Sequence, residues 1–245
     1  MPHIELAAEK ITSLFGFPIT NTLLTSWVVA GILILVALVI IKRLNLVPSF
    51  LQNIFEIFVE GFIKTMEGVF GSRERAEKYF PIVATIFIFV LLSNWLGILP
   101  GIGSIGFLEE HAGKIAFVPF FRSAASDLNF TLALAVIAVF LVHISGIIAI
   151  GAGRHISKFF TFKGPIDFFV GILEFVSEIA KMISFSFRLF GNVFAGEVLL
   201  IITAFLVPYF IPVPFLMLEI FVGFIQALVF SMLTMVFISI AISHH

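Results

Sequence analysis

The chain is 245 residues long, with 60% hydrophobic residues, 12% charged residues and a formal net charge of −1 at pH 7. Soluble domains usually carry about a quarter charged residues, so this composition excludes a water-soluble domain and indicates a multi-spanning helical membrane protein. The long apolar segments lack the two-residue alternation of an outer-membrane barrel. Because the sequence contains no cysteine, thiolate chemistry and a disulfide framework are also excluded.

The apolar segments predict an all-α polytopic protein with about five transmembrane helices and one interfacial helix. A crossing needs about 20 predominantly apolar residues, and five segments approach or exceed that length. We expect a single membrane domain over residues 1–245, divided into an outer N-terminal segment (1–25), spans at 26–44, 81–99, 128–150, 165–207 and 214–242, and an interfacial helix at 48–70. The fourth span is long enough that it should tilt. The N-terminal segment lacks the cationic flank of a cleavable signal peptide.

The segment at 48–70 differs from the five spans in its polarity. Phe58, Phe62 and Met66 recur at helical spacing, while Glu60 and Glu67 mark the opposite face. An amphipathic helix of this kind is typical of a segment that lies in the membrane interface. The charged run at 72–78 is expected to stay in water.

The distribution of basic residues predicts the orientation. Alternating five spans places nine of the 14 Lys and Arg residues on one side and three on the other, with Lys181 and Arg188 inside the fourth span. Cytoplasmic loops carry the excess of basic residues. The N-terminus is therefore expected outside and the C-terminus in the cytoplasm, and the compact length favours a bacterial inner membrane.

A polar stripe runs through the fourth span. With about 100° per residue, Glu174, Lys181, Ser184 and Asn192 all fall within about 40° of Arg188. An arginine at the centre of a spanning helix costs about 2.5 to 3.5 kcal/mol on insertion scales, so it is rarely present without a function. Arg188 is the predicted functional centre.

A second set of polar residues lies toward the outer half. Glu197 is on the opposite face of the fourth helix from Arg188, and Glu219 and Gln226 share one face of the fifth. Two separate polar paths are therefore predicted, rather than one pore. A guanidinium does not release its proton and it repels cations, so Arg188 would divide the paths.

Some of these residues also fit roles unrelated to transport. Glu174 fits a helix-end residue whose side chain extends to the lipid headgroups. Asn192 and Gln226 fit interhelical hydrogen bonds, worth about 0.6 kcal/mol each. His143 fits a packing histidine. Arg188 is the hardest to explain in this way, because a deep charge is costly.

The motifs around these residues resemble a known family. The stretch SFRLFGNVFAGE at 186–197, followed by GFIQALVFSMLTMVFISIA at 223–241, is similar to subunit a of the rotary F-type ATP synthase. The segments 93–100 and 126–136 also resemble the family, so the similarity covers most of the chain after residue 80.

The resemblance implies a proton-translocating stator subunit with two offset half-channels that couple ion flow to rotation and ATP synthesis. Arg188 matches the arginine that faces the carboxylate of the rotating c-ring. The residues implied in ion translocation are Asn192, Glu197, Glu219 and Gln226 on the outer path, Glu174, Lys181 and Ser184 on the inner path, and Asn94 and His143 as further candidates. Glu219 stands where relatives often carry histidine, which leaves open how Glu197 and Glu219 share protons. Gly97 stands where some relatives carry an acid.

The implied partners are the c-ring, subunit b and the peripheral stalk, the rest of the complex and membrane lipid. No cofactor, metal or nucleic acid is expected. The chain lacks a GxxxxGK[ST] loop, so nucleotide chemistry would belong to other subunits. Proton and sodium coupling both stay open, because the ion site lies on the c-subunit. A secondary transporter would predict inverted repeats with broken helices, which the sequence lacks, and a structural scaffold would not need Arg188 with two deep carboxylates.

Overall fold

The computed structural model describes residues 7–14, 16–42, 50–99, 101–111, 114–157, 159 and 164–243. The predicted start of the interfacial helix at Pro48 and three basic residues of the charge count, Arg43, Lys158 and Lys163, lie outside these ranges. The elements are β1 (Lys10–Leu14), β2 (Phe17–Thr20), α1 (Asn21–Lys42), α2 (Phe50–Phe70), α3 (Arg73–Ile98), β3 (Gly106–His111), β4 (Lys114–Pro119), α4 (Leu128–Ile150), α5 (Ala152–Ser157), α6 (Pro165–Leu206) and α7 (Pro212–Ile242). Two short 3₁₀ turns flank the second hairpin, at Ile102–Ser104 and Ala124–Ser126.

Among the described residues, five helices are long and apolar enough to cross a membrane: α1, α3, α4, α6 and α7. This confirms the predicted all-α polytopic class. The core lies where α3, α4, α6 and α7 meet, and Val83, Ala138 and Ile238 have no exposed surface there. Small residues such as Ala138 let neighbouring helices approach closely, as is usual in membrane bundles.

Helices α1 and α3 begin earlier than predicted, because polar residues in their first turns make hydrogen bonds within the protein. Helix α1 begins at Asn21, five positions before the predicted span, since the Thr22 hydroxyl donates to Asp127 at 2.9 Å and both residues are buried. Helix α3 begins at Arg73 and includes part of the charged run, with Pro81 inside the helix. Arg73 donates to Glu77 one turn later at 2.9 Å, which supports helix in this segment.

Two antiparallel hairpins were not predicted. The pairs β1–β2 and β3–β4 replace the expected irregular segments before α1 and after α3. Both attach to the start of α1: the Asn21 backbone N–H donates to the Glu9 carbonyl at 3.1 Å, and its side-chain amide donates to the Pro119 carbonyl at 3.4 Å. We call this side of the bundle the hairpin end, and the opposite side, where α5 lies, the α5 end.

Helix α2 packs against α3 rather than standing apart. Phe62, Ile63 and Met66 are buried in the core, and the Arg73 guanidinium makes two 2.9 Å hydrogen bonds to the Glu60 carboxylate. These bonds hold the pKa of Glu60 below its ordinary value. The position of α2 in the membrane interface stays a prediction.

Gly97 shows why a small residue is needed at the end of α3. A Cβ atom at this position would collide with the backbone of Ser123, which precedes the 3₁₀ turn before α4. A larger side chain at this position would not fit the close approach of the two segments.

We expect Gly97→Ala to destabilise the protein, because a side chain forced into a closely packed contact costs about 1 to 3 kcal/mol. The matched control is Gly103→Ala, where an added Cβ meets no atom within 4 Å. Thermal unfolding of the purified protein in detergent should show a lower midpoint for the first variant only. Equal midpoints would contradict the packing account of Gly97.

Candidate functional site

Several of the predicted site residues fall into two polar clusters that one continuous helix joins, and Arg188 lies between these clusters. Helix α6 carries Glu178 toward the α5 end and Glu197 toward the hairpin end. A rise of 1.5 Å per residue separates these two residues by about 28 Å and places Arg188 close to midway between them. The distance is close to the thickness of the hydrocarbon layer, about 30 Å.

The cluster at the hairpin end contains an ion pair that the sequence did not indicate. The Arg122 Nε donates to Glu197 Oε1 at 2.8 Å, and the two side chains are 9% and 24% exposed. The Arg122 backbone N–H also donates to the Thr25 hydroxyl at 3.3 Å, and its guanidinium to the Ala7 carbonyl at 3.3 Å. The loop that carries Arg122 is thus held by α1 and by the N-terminal segment.

Glu219 lies beside this pair. Glu219 is 6% exposed. Its side chain packs closely on α6, because a Cβ atom added at Gly196 would lie 3.1 Å from the Glu219 carboxyl carbon. Glu197 is close enough to act on Glu219 electrostatically. Within the described residues, neither Oε2 atom of these two buried carboxylates has a hydrogen-bond partner. Buried polar atoms of this kind are normally satisfied by water.

Asn94 joins the same cluster from α3. It is fully buried, and its amide donates to the Gly223 carbonyl of α7 at 3.1 Å, while Trp95 donates to the Ile220 carbonyl at 3.0 Å. Gly223 is needed here, because a Cβ would lie 3.2 Å from that of Asn94. Gln226 follows on α7 and is partly buried.

Arg188 is separate from both clusters. It lies on the exposed side of α6, and its Nη2 donates to the Ser184 hydroxyl at 3.3 Å. Asn192 is exposed one turn further along, whereas the neighbouring Phe185 and Leu189 are buried in the core. Arg188 therefore faces away from the rest of the subunit.

The cluster at the α5 end brings together more groups than predicted. Lys181 Nζ donates to Glu178 Oε1 at 2.7 Å, and Glu178 Oε2 lies 3.6 Å from His143 Nε2. His143 Nδ1 is 3.0 Å from His155 Nε2. Glu174, exposed on α6, lines a cavity of about 50 Å³ together with these residues.

The sequence analysis missed Arg122, Glu178 and His155 as members of the site. Glu178 stands three residues before Lys181, a spacing that favours an ion pair on a helix and was a usable signal. Arg122 reaches the site from a loop and His155 from the short helix α5, so their positions follow from tertiary packing. In the described ranges, no group of three His, Cys, Asp or Glu side chains is arranged to hold a metal ion.

Comparison with known proteins gives the family. Residues 23–239 match the family model described as ATP synthase A chain. The chain is 36% identical over 214 residues to ATP synthase subunit a of Campylobacter jejuni subsp. jejuni serotype O:23/36 (strain 81-176), covering 86% of this chain and 85% of the relative. It is 31% identical over 245 residues to ATP synthase subunit a of Moorella thermoacetica, covering all of both chains. Taken with the five apolar helices, these matches show that the chain is an integral, multi-pass membrane protein that belongs to the ATP synthase subunit a family.

Proposed function

We propose that this chain is the proton-translocating stator subunit of ATP synthase, with two offset half-channels to the c-ring and Arg188 between them. The observation that carries this proposal is the position of Arg188. It lies exposed on α6, turned away from the core, about midway between two polar clusters at opposite ends of the bundle. Family membership supports the membrane-sector role.

The exposed face of α6 suits a c-ring. Only 11% of the apolar window of α6 is buried, compared with 44% for α7. Ser184, Gly191 and Ala195 give this face small side chains beside Arg188, so another helix could approach closely. An arginine facing hydrocarbon is costly unless it is paired. A ring carboxylate passing Arg188 would supply the opposite charge.

The hairpin end supplies the outer half-channel in this proposal. Asn94, Glu219 and Gln226 line it, with Asn192 near its inner limit. Glu197 is already paired with Arg122 at 2.8 Å, whereas Glu219 makes no ion pair among the described residues. Glu219 is then the group that carries the proton, which assigns different roles to the two acids.

The α5 end supplies the inner half-channel. Glu174, Lys181 and Ser184 follow one side of α6 toward Arg188, and the cavity beside them is lined by His143 as well. A ring carboxylate gives up its proton near Arg188, because the opposite charge stabilises its ionised form. Rotation through lipid then requires it to be protonated again. Each charge moved across the membrane gains about 2.3 kcal/mol per 100 mV, which biases the direction.

The remaining partners and the orientation belong to the same proposal. Subunit b and the peripheral stalk would hold this chain against the rotating ring. The excess of basic residues at the α5 end favours a cytoplasmic location for that end and an outer location for the hairpin end. The membrane would be the bacterial inner membrane, and no nucleotide would bind to this subunit.

We expect Arg188→Ala in the complete complex to abolish coupled pumping, because the passing carboxylate loses its counter-charge and the two paths are no longer separated. ATP-driven acidification of inverted vesicles is the measurement, with Arg75→Ala, an exposed arginine at the start of α3, as the control. ATP hydrolysis by the detached soluble head should persist. Pumping by Arg188→Ala near the wild-type level would refute the proposed role.

A substitution at Gly191 tests whether the c-ring docks on this face of α6. A Cβ at this position meets no atom within 4 Å in this chain, and the same is true of Gly31 on the exposed side of α1. We expect Gly191→Leu to reduce coupled pumping severely because the added side chain would clash with a ring helix. Gly31→Leu should leave pumping unchanged. Similar activity of the two variants would argue against a ring on this face of α6.

A substitution at Arg122 tests the roles proposed for Glu197 and Glu219 in the outer half-channel. Breaking a buried ion pair leaves an uncompensated charge, at a cost of about 3 to 5 kcal/mol for fully buried groups. We expect Arg122→Gln to lower the pumping rate several-fold, because Glu197 would then compete with Glu219 for the proton. Lys10→Gln removes an exposed positive charge from β1 at the same end and is the control. An unchanged rate in Arg122→Gln would contradict the division of roles between the acids.

A further inference from the structure

The β3–β4 hairpin carries an exposed apolar pair at its base. Leu108 and Phe117 stand directly opposite each other on the two strands, and they are 68% and 47% exposed. The Phe117 ring lies across Gly106, because a Cβ at that position would be 2.8 Å from the ring carbon Cζ. The pair therefore forms an ordered apolar surface that points away from the protein.

The other face of the same hairpin packs on the protein. Val118, the next residue along β4, is 4% exposed, and the rings of Phe107 and Phe120 have centroids 5.6 Å apart. Successive residues of a strand point to opposite faces, so the base of the hairpin is apolar on both sides. Antiparallel strands with one face in water usually carry polar residues on that face. The exposed pair is thus unusual for a hairpin that water surrounds.

Polarity changes along the hairpin from base to tip. The two pairs Phe107–Val118 and Leu108–Phe117, near the base, are apolar. The three pairs nearest the tip contain most of the charged or titratable residues of this loop: Glu109–Ala116, Glu110–Ile115 and His111–Lys114. An apolar base with a polar tip is the distribution expected of a hairpin that stands at the boundary between lipid and water.

The base of the hairpin lies where the spans end. Helix α3 ends eight residues before Gly106 and α4 begins nine residues after Pro119, and the Asn21 amide at the start of α1 donates to the Pro119 carbonyl at 3.4 Å. At this end of the bundle, Trp27 on α1 is 55% exposed and Tyr209 between α6 and α7 is 83% exposed. Trp and Tyr are enriched at membrane–water interfaces. Exposed aromatic residues on several separate elements fit a membrane boundary better than one docked protein.

The backbone of the hairpin limits how deep it can lie. A two-stranded sheet has two open edges with unpaired N–H and C=O groups, and such edges do not occur in the hydrocarbon layer. Water reaches the headgroup region, where these groups can be satisfied while apolar side chains enter the acyl boundary. The boundary satisfies both the open edges and the exposed pair.

We propose that the β3–β4 hairpin is an interfacial membrane anchor, with Leu108 and Phe117 in the layer between lipid headgroups and acyl chains and the tip in water. The partner of this surface is the lipid leaflet at the hairpin end. Because Pro119 precedes Arg122 by three residues, the anchor also restrains the loop that carries Arg122. This inference does not rest on the proposed function, since it needs neither a c-ring nor a role for Arg188.

The test measures the surroundings of single spin labels in the complete complex, reconstituted in vesicles of phosphatidylcholine and phosphatidylglycerol. Because this chain has no cysteine, one label is placed through Leu108→Cys or Phe117→Cys, and the complex without an introduced cysteine gives the background. Collisions with oxygen, which concentrates in lipid, are compared with collisions with a water-soluble nickel chelate. Leu108→Cys leaves the Phe117 ring in place, so the test does not depend on the second variant.

Three reference positions calibrate the ratio of oxygen to nickel collisions. Ile34→Cys, at a 61% exposed residue near the middle of α1, reports lipid. Arg75→Cys, at an exposed residue of the charged run, reports water, and Trp27→Cys reports the interface. We expect the ratio at Leu108 and Phe117 to be several-fold above that at Arg75, below that at Ile34 and close to that at Trp27.

Two results would overturn the anchor. A ratio at Leu108 and Phe117 equal to that at Arg75 would place the hairpin in water. Few collisions with either reagent would show that another subunit or a second copy of the chain covers the pair. Neither result bears on pumping by Arg188→Ala, so failure of the anchor and failure of the proposed function are separate findings.

Discussion

An arginine that lies exposed in the middle of a long apolar helix is the constraint on which the rest of this structure depends. Arg188 brings a guanidinium, a group that carries a positive charge in proteins. The buried side of α6 contributes Phe185 and Leu189 to the core. Arg188 lies on the other side, where its Nη2 donates to the Ser184 hydroxyl at 3.3 Å. In the proposed function, a carboxylate of the c-ring supplies the opposite charge that this arrangement lacks.

The length of α6 sets the separation of the two polar clusters. Spanning Pro165–Leu206 without interruption, the helix is about 63 Å long, about twice the hydrocarbon thickness. The predicted tilt of this helix stays a prediction. Glu178 and Glu197, which belong to different polar clusters, lie about 28 Å apart along this helix, with Arg188 close to midway between them. Helix α1 and the N-terminal segment support one cluster by holding Arg122 beside Glu197. Helix α5 supports the other by holding His155 beside His143.

Much of the fold was predictable because a bilayer imposes simple rules. The five apolar helices, the helix formed by 50–70 and the deep charge at Arg188 follow from composition, periodicity and the cost of burying a charge. The early starts of α1 and α3 were missed because Thr22 and Arg73 make hydrogen bonds that hydropathy does not register. The hairpins were missed because short strands between spans leave a weak pattern.

The candidate site was predictable only where its residues share a helix. The angular positions of Lys181 and Ser184 around the helix axis predicted that they share a face with Arg188. Contacts between elements are not visible in this way, so the partner of Glu197 and the second histidine required the packed structure. Gly97 is a further case, since only the approach of Ser123 explains its small size.

The most direct test of two paths divided by Arg188 uses the absence of cysteine from this chain. Single cysteines at Ser184 and Asn192 stand one turn on either side of Arg188 on the exposed face of α6. A membrane-impermeant thiol reagent, which requires a hydrated thiolate, is applied to each side of the membrane in the complete complex. The account predicts that Ser184→Cys reacts from the cytoplasmic side only and Asn192→Cys from the outer side only. Reaction of both cysteines from the same side would contradict it.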